Sequence, residues 1–440
     1  MGSLLDVRRF APLVALLIAI SACSPSESSS TVTDAVESVD STPATVSVLA
    51  TATEPTTTEP ETTQLATTDP ATSAATTSTT TVASTLAPLL TTETTSPKSP
   101  VDPERLAALE REVINLFRKR ASRFSGGGNY AIGFALTHGN EVVGSFSLGS
   151  TADGNALVDT SPFRLASISK TITAATVMRL VDEGRLQLDG TLGDQWRGEL
   201  TARDRRARRI TVRQLLQHTS CIPDLRPLFF GSKVKDWRRS AEPALDTRLR
   251  CDPGGTYKYS NANYALLGVL VERTTGLDFE DAVQQLVLQP LGITTASLST
   301  TVVSDRSSAK YYVSKNRRYM EALGPAGAWA MSPSDTARLL AALQPDSPTS
   351  VLTTATRRQM QTAGAPEGGR YNSRYSLGLE RYGSMWGHTG TLQSVRTIAF
   401  MLPNGYSFAV LSAGEQVGKA EELIRVFGEA ISKAKALPKH

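Results

Sequence analysis

Apolar residues at helical spacing open the dense part of the chain. In "DPERLAALEREVINLFRKRAS", Leu106, Leu109, Val113, Ile114 and Phe117 fall on one face, and Asp102 and Pro103 supply start signals. In "NYAIGFALTHGNEVVGSFSLGS", two apolar runs flank His138-Gly139-Asn140, which predicts a hairpin. The segment around Lys170 reads as a helix to Val181, closed by Gly184. Near the C-terminus, "SVRTIAFML" and "YSFAVLSA" flank Pro403-Asn404-Gly405 as a second hairpin, and a helical pattern follows over about 418–435. Strands and helices therefore lie at both ends, with mostly helical sequence between them. The expected fold class is α+β, an α/β sandwich: an antiparallel sheet covered by N- and C-terminal helices, with an inserted, mostly helical region.

The pattern before residue 101 is of another kind. Arg8 and Arg9 precede an uncharged apolar run from Phe10 to Ala22, shorter than the roughly 20 residues a membrane span needs, so it reads as an export signal. The run ends in "ISAC", which looks like the lipobox of bacterial lipoproteins, with Cys23 as the lipidated residue; ordinary cleavage near Ala22 is the plainer alternative. Residues 24–100 are Thr, Ser, Ala and Pro with almost no aromatics. Such a segment buries too little apolar area to offset its ordering entropy, so a disordered tether is expected, spanning on the order of 50 Å. The organisation expected is thus a signal peptide and lipobox over 1–23, a linker over 24–100 and a folded domain over 101–440. The predicted location is the outer face of the bacterial cytoplasmic membrane, anchored through Cys23.

Charge and cysteines sharpen this. Residues 24–100 hold nine acids and one base, so residues 101–440 carry +11 within a chain of +4. Many of those bases sit in "RDRRARRITVR", Arg203 to Arg213, which suits anionic envelope polymers or lipid surfaces and equally a solvated face. Export argues against nucleic acid as a partner. With Cys23 taken by lipid, Cys221 and Cys251 remain, an even number in an oxidising compartment, and a disulfide between them is expected. Four scattered histidines offer no metal site, and no cofactor or metal is expected; a monomer is expected.

Candidate chemistry begins at "RLASISKTITAAT". Residues i and i+3 share a helix face, which pairs Ser167 with Lys170 and turns Ser169 elsewhere. A serine at a helix N-terminus sits among free backbone N–H groups suited to an oxyanion. Lys170 would be a base or a charge that lowers a neighbour's pKa. A helix start with a solvated lysine explains the same residues. Two further groups bear on this: Tyr259-Ser260-Asn261 in "PGGTYKYSNANYALLG", and His388-Thr389-Gly390 in "MWGHTGTLQS".

In this order they resemble the SxxK, YxN and [K/H]TG motifs of penicillin-recognising serine hydrolases. The resemblance covers about 102–435 and includes "TVRQLLQHTS" and "GPAGAWAMSPSDTARLLAAL". It is closest to the group of class C β-lactamases, D-alanyl-D-alanine carboxypeptidases, D-aminopeptidases and related esterases, and implies a β-lactamase/transpeptidase-like fold. By the same resemblance Ser167 is acylated, Tyr259 shuttles a proton, and Asn261 holds Lys170 and the substrate amide. His388 faces the cavity, Thr389 binds a substrate carboxylate, and the N–H groups of Ser167 and Thr391 form the oxyanion hole. Gly390 completes the third motif. Whether Lys170 or Tyr259 is the base stays open. His218 reads as a structural hydrogen-bonder.

The sequence departs from the family in two places. "HTSCIPD" has Cys221 where a glycine is usual, so the expected bridge would staple the loop before Tyr259 to the loop after "HTS". In "YSLGLERYG", Arg381 is the candidate partner for a substrate's terminal carboxylate. Glu380 precedes it, and a one-residue shift on a strand turns a side chain to the other face. The leading expectation is a D-alanyl-D-alanine carboxypeptidase-like hydrolase acting on peptidoglycan stem peptides. A small ester or amide substrate, a D-aminopeptidase, a β-lactamase or a non-catalytic envelope scaffold are the alternatives.

Overall fold

A computed structural model describes residues 102–124, 130–196, 200–231, 236–301, 309, 319–362, 374–414 and 419–439. All of them belong to one unit, Glu93–His440. The expectations for Cys23, for the signal and for the 24–100 tether lie outside the described residues.

Six antiparallel strands form the main sheet: β1 (Tyr130–His138), β2 (Glu141–Leu148), β3 (Glu380–Tyr382), β4 (Met385–Leu392), β5 (Val395–Met401) and β6 (Tyr406–Gly414). Their order is β2-β1-β6-β5-β4-β3, so the N-terminal hairpin pairs with the last strand of the chain. Both hairpins lie where the sequence predicts them. Strands β5 and β6 are buried along their whole length, which is why they read as continuous apolar runs rather than alternating ones.

Helix α1 (Pro103–Phe124) covers one face of the sheet with the C-terminal helices α5 (Glu421–Val426) and α6 (Gly428–Lys435). Phe117 stacks on Phe134 at 4.2 Å between ring centroids and on Phe427 at 5.5 Å. The one helix expected over 418–435 is therefore two. Phe427 leaves the helical ladder (φ −94°, ψ 8°) with its ring fully buried in this aromatic layer, and Gly428 follows it.

On the other face lie α2 (Ser169–Asp182), α3 (Asn261–Thr275) and α4 (Pro333–Ala342), together with the shorter helices of the inserted region. Helix α2 ends as expected at Gly184, whose φ of +68° suits a residue without Cβ. A small sheet of Phe163–Arg164, Ser297–Leu298 and Trp329–Met331 leads the chain into α2. Arg164 anchors it: fully buried, it donates to Ser299 Oγ and to the carbonyls of Thr300 and Thr301. The whole is the β-lactamase/transpeptidase-like α+β architecture.

Candidate active site

Between Arg164 and α2 the chain makes one 3-10 turn, Ala166–Ile168. Ala166 takes φ +52°, a strained value for a residue with a Cβ, and the surroundings hold it there. Leu165 donates its N–H to the Trp329 carbonyl at 2.8 Å, and Thr397 Oγ1 donates to the Leu165 carbonyl at 2.8 Å. Gly390 on β4 permits this approach. A Cβ there would stand 2.1 Å from Thr397 Oγ1 and 2.5 Å from the Leu165 oxygen. The turn leaves Ser167 half-buried at the wall of a cavity of about 580 Å³. Ser169 faces away as expected, its Oγ accepting the Trp329 N–H.

Lys170 is fully buried one turn beyond Ser167. Its Nζ lies 3.3 Å from Ser167 Oγ, and it donates to Asn261 Oδ1 at 2.8 Å and to the Ala326 carbonyl at 2.6 Å. Burial pushes its pKa down to about 7, against the pull of the Asp224 and Glu380 carboxylates. Tyr259 donates its hydroxyl to Ser167 Oγ at 3.0 Å. Burial drives the Tyr259 pKa well above the ordinary tyrosine value, which keeps that hydroxyl protonated.

Asn261 opens α3, and Asp224 Oδ1 accepts both its backbone N–H (3.0 Å) and its side-chain amide (3.2 Å). The loop carrying Asp224 is stapled by the Cys221–Cys251 disulfide, Cα to Cα 5.3 Å. Cys221 sits at φ +65°, the conformation that explains why glycine is usual there. His218 is structural, accepting the Ser260 N–H on Nδ1 and lying against Tyr259 at 4.2 Å between ring centroids. Burial holds its pKa well below the ordinary histidine value, so it is neutral.

The opposite wall is β4. His388 is buried, its Nδ1 2.6 Å from the Thr389 carbonyl oxygen and its Nε2 3.1 Å from the Tyr375 hydroxyl. Burial lowers its pKa too. Thr389 N–H donates to Glu380 rather than across the ladder. Thr391, two residues on, lines the same cavity as Ser167, so the two residues expected to supply the oxyanion donors stand on one cavity.

Arg381 requires a correction. It pairs across β3–β4 with Trp386, lies over that ring at 5.8 Å and donates to the Gly383 carbonyl, away from the cavity lining. Glu380 faces inward instead, and its Oε2 accepts Thr389 N–H (2.9 Å) and Oγ1–H (2.8 Å). The period of two along a strand makes the two side chains diverge. Sequence reasoning also missed Asp224, the Ala326 carbonyl and Tyr375. Asp224 ends the quoted "HTSCIPD", which was the available signal for it. Among the described residues no cluster of metal-ligating side chains is present.

Residues 115–427 match the protein-family model described as Beta-lactamase. Penicillin-binding protein 4 of Amycolatopsis lactamdurans is 35% identical over 140 residues, 32% of this chain and 37% of that protein. Esterase EstB of Burkholderia gladioli is 34% identical over 159 residues, 32% of this chain and 39% of that protein. The chain thus spans under two-fifths of the length of these two relatives. Among solved structures, D-amino acid amidase from Ochrobactrum anthropi SV3 superposes with a TM-score of 0.62 at 21% identity, covering 74% of this chain and 99% of that one.

Proposed function

The chain belongs to the β-lactamase family, and we propose that it is a serine hydrolase that cleaves ester or amide acyl donors through an acyl-Ser167 intermediate. One observation carries this reading. A neutral amine has two N–H bonds, and Lys170 has two acceptors besides Ser167: Asn261 Oδ1 and the Ala326 carbonyl. Its lone pair is left to face Ser167 Oγ at 3.3 Å. Lys170 takes the hydroxyl proton as Ser167 attacks the carbonyl carbon. The Ser167 and Thr391 N–H groups hold the oxyanion. The proton then leaves through Tyr259 to the departing oxygen or nitrogen, and a water repeats the sequence in reverse to free the acid.

A D-alanyl-D-alanine carboxypeptidase is the second reading, favoured by Arg226 and Lys419 in the cavity lining; the Thr389 hydroxyl expected to take the substrate carboxylate donates to Glu380 instead. Likeness to esterase EstB supports the first reading and likeness to penicillin-binding protein 4 the second. The leader sequence supports placing this chemistry outside the membrane on the Cys23 lipid.

Intact mass of the protein after brief exposure to p-nitrophenyl acetate and, separately, benzylpenicillin tests the proposal, with Ser167→Ala as control. An acyl adduct or turnover that disappears in the variant is expected. A folded protein with neither adduct nor turnover from either compound overturns it.

A further inference from the structure

Among the described residues Glu380 makes no ion pair with an arginine or lysine, and Lys170, whose pKa it raises, is turned to Asn261, Ala326 and Ser167. The Glu380 side chain keeps 21% of its exposure and lines the Ser167 cavity, and its ion-pair neighbour among the described residues is His388 Nδ1 at 3.9 Å from Oε1. Burial disfavours the charged form of that imidazole, so it supplies no counter-charge. Thr389 orients Glu380 through two hydrogen bonds to Oε2, a rigid presentation for a charge on a short edge strand. Across the cavity Asp224 is a second partly covered carboxylate, also at 21%. Three cations line the cavity, Arg226, Arg396 and Lys419, and none of them is ion-paired with Glu380 among the described residues. Arg396 donates to the carbonyls of Leu392 and Val395, and Arg226 is 73% exposed with Asp224 as its ion-pair neighbour at 3.9 Å.

A carboxylate fixed in a cavity wall, with no arginine or lysine in ion-pair contact, offers a bound cation a charge-assisted hydrogen bond. We infer that the β4 wall of the cavity is a subsite for a cationic group of the substrate, a primary ammonium of an aminoacyl or amino-alcohol ester or amide, with Glu380 as its counter-ion. The inference rests on the acyl-enzyme reading and adds the charge of the substrate to it. A substrate carboxylate at the same place would meet Glu380 at Thr389 and be repelled, which is the reverse of what a carboxypeptidase needs.

Three esters of one acyl framework, ending in an ammonium, a methyl or a carboxylate, give the test. The expected order of kcat/KM is ammonium, then methyl, then carboxylate, with the ends at least about tenfold apart. Glu380→Gln keeps an acceptor for Thr389 but removes the charge, and should bring the ammonium-to-carboxylate ratio towards one. A preference for the carboxylate ester, or a ratio unchanged in Glu380→Gln, overturns the inference. Calorimetry on Ser167→Ala protein with benzylammonium and with benzoate reads the same charge preference without chemistry. Stronger binding of benzylammonium with no turnover of any ester would sink the acyl-enzyme reading alone. Benzoate binding as tightly as benzylammonium would sink the subsite.

Discussion

Acylation by an uncharged ester should rise with pH through one limb near 7, and that limb should belong to Lys170. The lowering of its pKa from 10.5 to about 7 raises the neutral fraction at pH 7 from about 3 in 10,000 to about half, more than a thousandfold. The pH dependence of kcat/KM reports the free enzyme, so the profile between pH 5 and 10 separates the candidates. Tyr259, held well above its ordinary value, would give a rate still climbing past pH 9. His218 and His388, both lowered, would titrate below the ordinary histidine range. Lys170→Ala should abolish the limb and reduce kcat/KM by on the order of a thousandfold. Asp224→Asn gives the sign. The carboxylate favours the charged amine, so its loss favours the neutral one, and the limb should move to lower pH. Asparagine still offers an oxygen to both Asn261 donors. A wild-type rate that keeps rising from pH 8 to 10, or an Asp224→Asn limb that stays put or moves upward, refutes the assignment of Lys170 as base.

Gly390→Ala places a methyl 2.1 Å from Thr397 Oγ1 and 2.5 Å from the Leu165 oxygen, so β4 must retreat from the Ser167 turn. Acyl-enzyme formation measured by burst amplitude and rate should slow at least about a hundredfold, the scale of losing an oxyanion donor; near-normal acylation in folded protein would count against that packing. Removing the bridge with Cys221→Ala and Cys251→Ala together, across a separation of 30 residues, should lower unfolding stability by roughly 3–4 kcal/mol in denaturant titration. A loss under about 1 kcal/mol would mean that the loop holding Asp224 is fixed without it.

Ser167, Lys170, Tyr259, Asn261, His388 and Thr389 were legible as candidates because they stand in short, ordered motifs. The structure brings Ser167, Tyr259, Asn261, His388 and Thr389 to the lining of one cavity, with Lys170 buried behind it 3.3 Å from Ser167 Oγ. The rest was hidden for physical reasons. The Ala326 contribution is a backbone carbonyl, which any residue type provides, so no letter marks it. Glu380 and Arg381 are adjacent letters, and only the register against Gly387 and Trp386 decides which faces the cavity. The Phe427 break depends on an aromatic layer assembled from both ends of the chain, a contact that local periodicity does not contain. Both hairpins and α2 were visible because turn chemistry and apolar period agree at those places.

The base and the charge selectivity are built on different elements, yet Glu380 belongs to both. Lys170, Asn261 and Tyr259 are set by α2, by the start of α3 and by the segment before it, whereas Glu380 and Thr389 lie on β3 and β4. An acid at position 380 attracts a substrate cation, and it also raises the pKa of Lys170. Glu380→Gln therefore perturbs two quantities at once: the affinity for the charged end of the substrate, and the pH at which the amine becomes free. They separate with pH. Above the limb Lys170 is already neutral, so the second effect on its population vanishes there, while the attraction between a carboxylate and an ammonium persists. The substrate-charge ratio must accordingly be read on the plateau, where any difference that survives belongs to the subsite and not to the base.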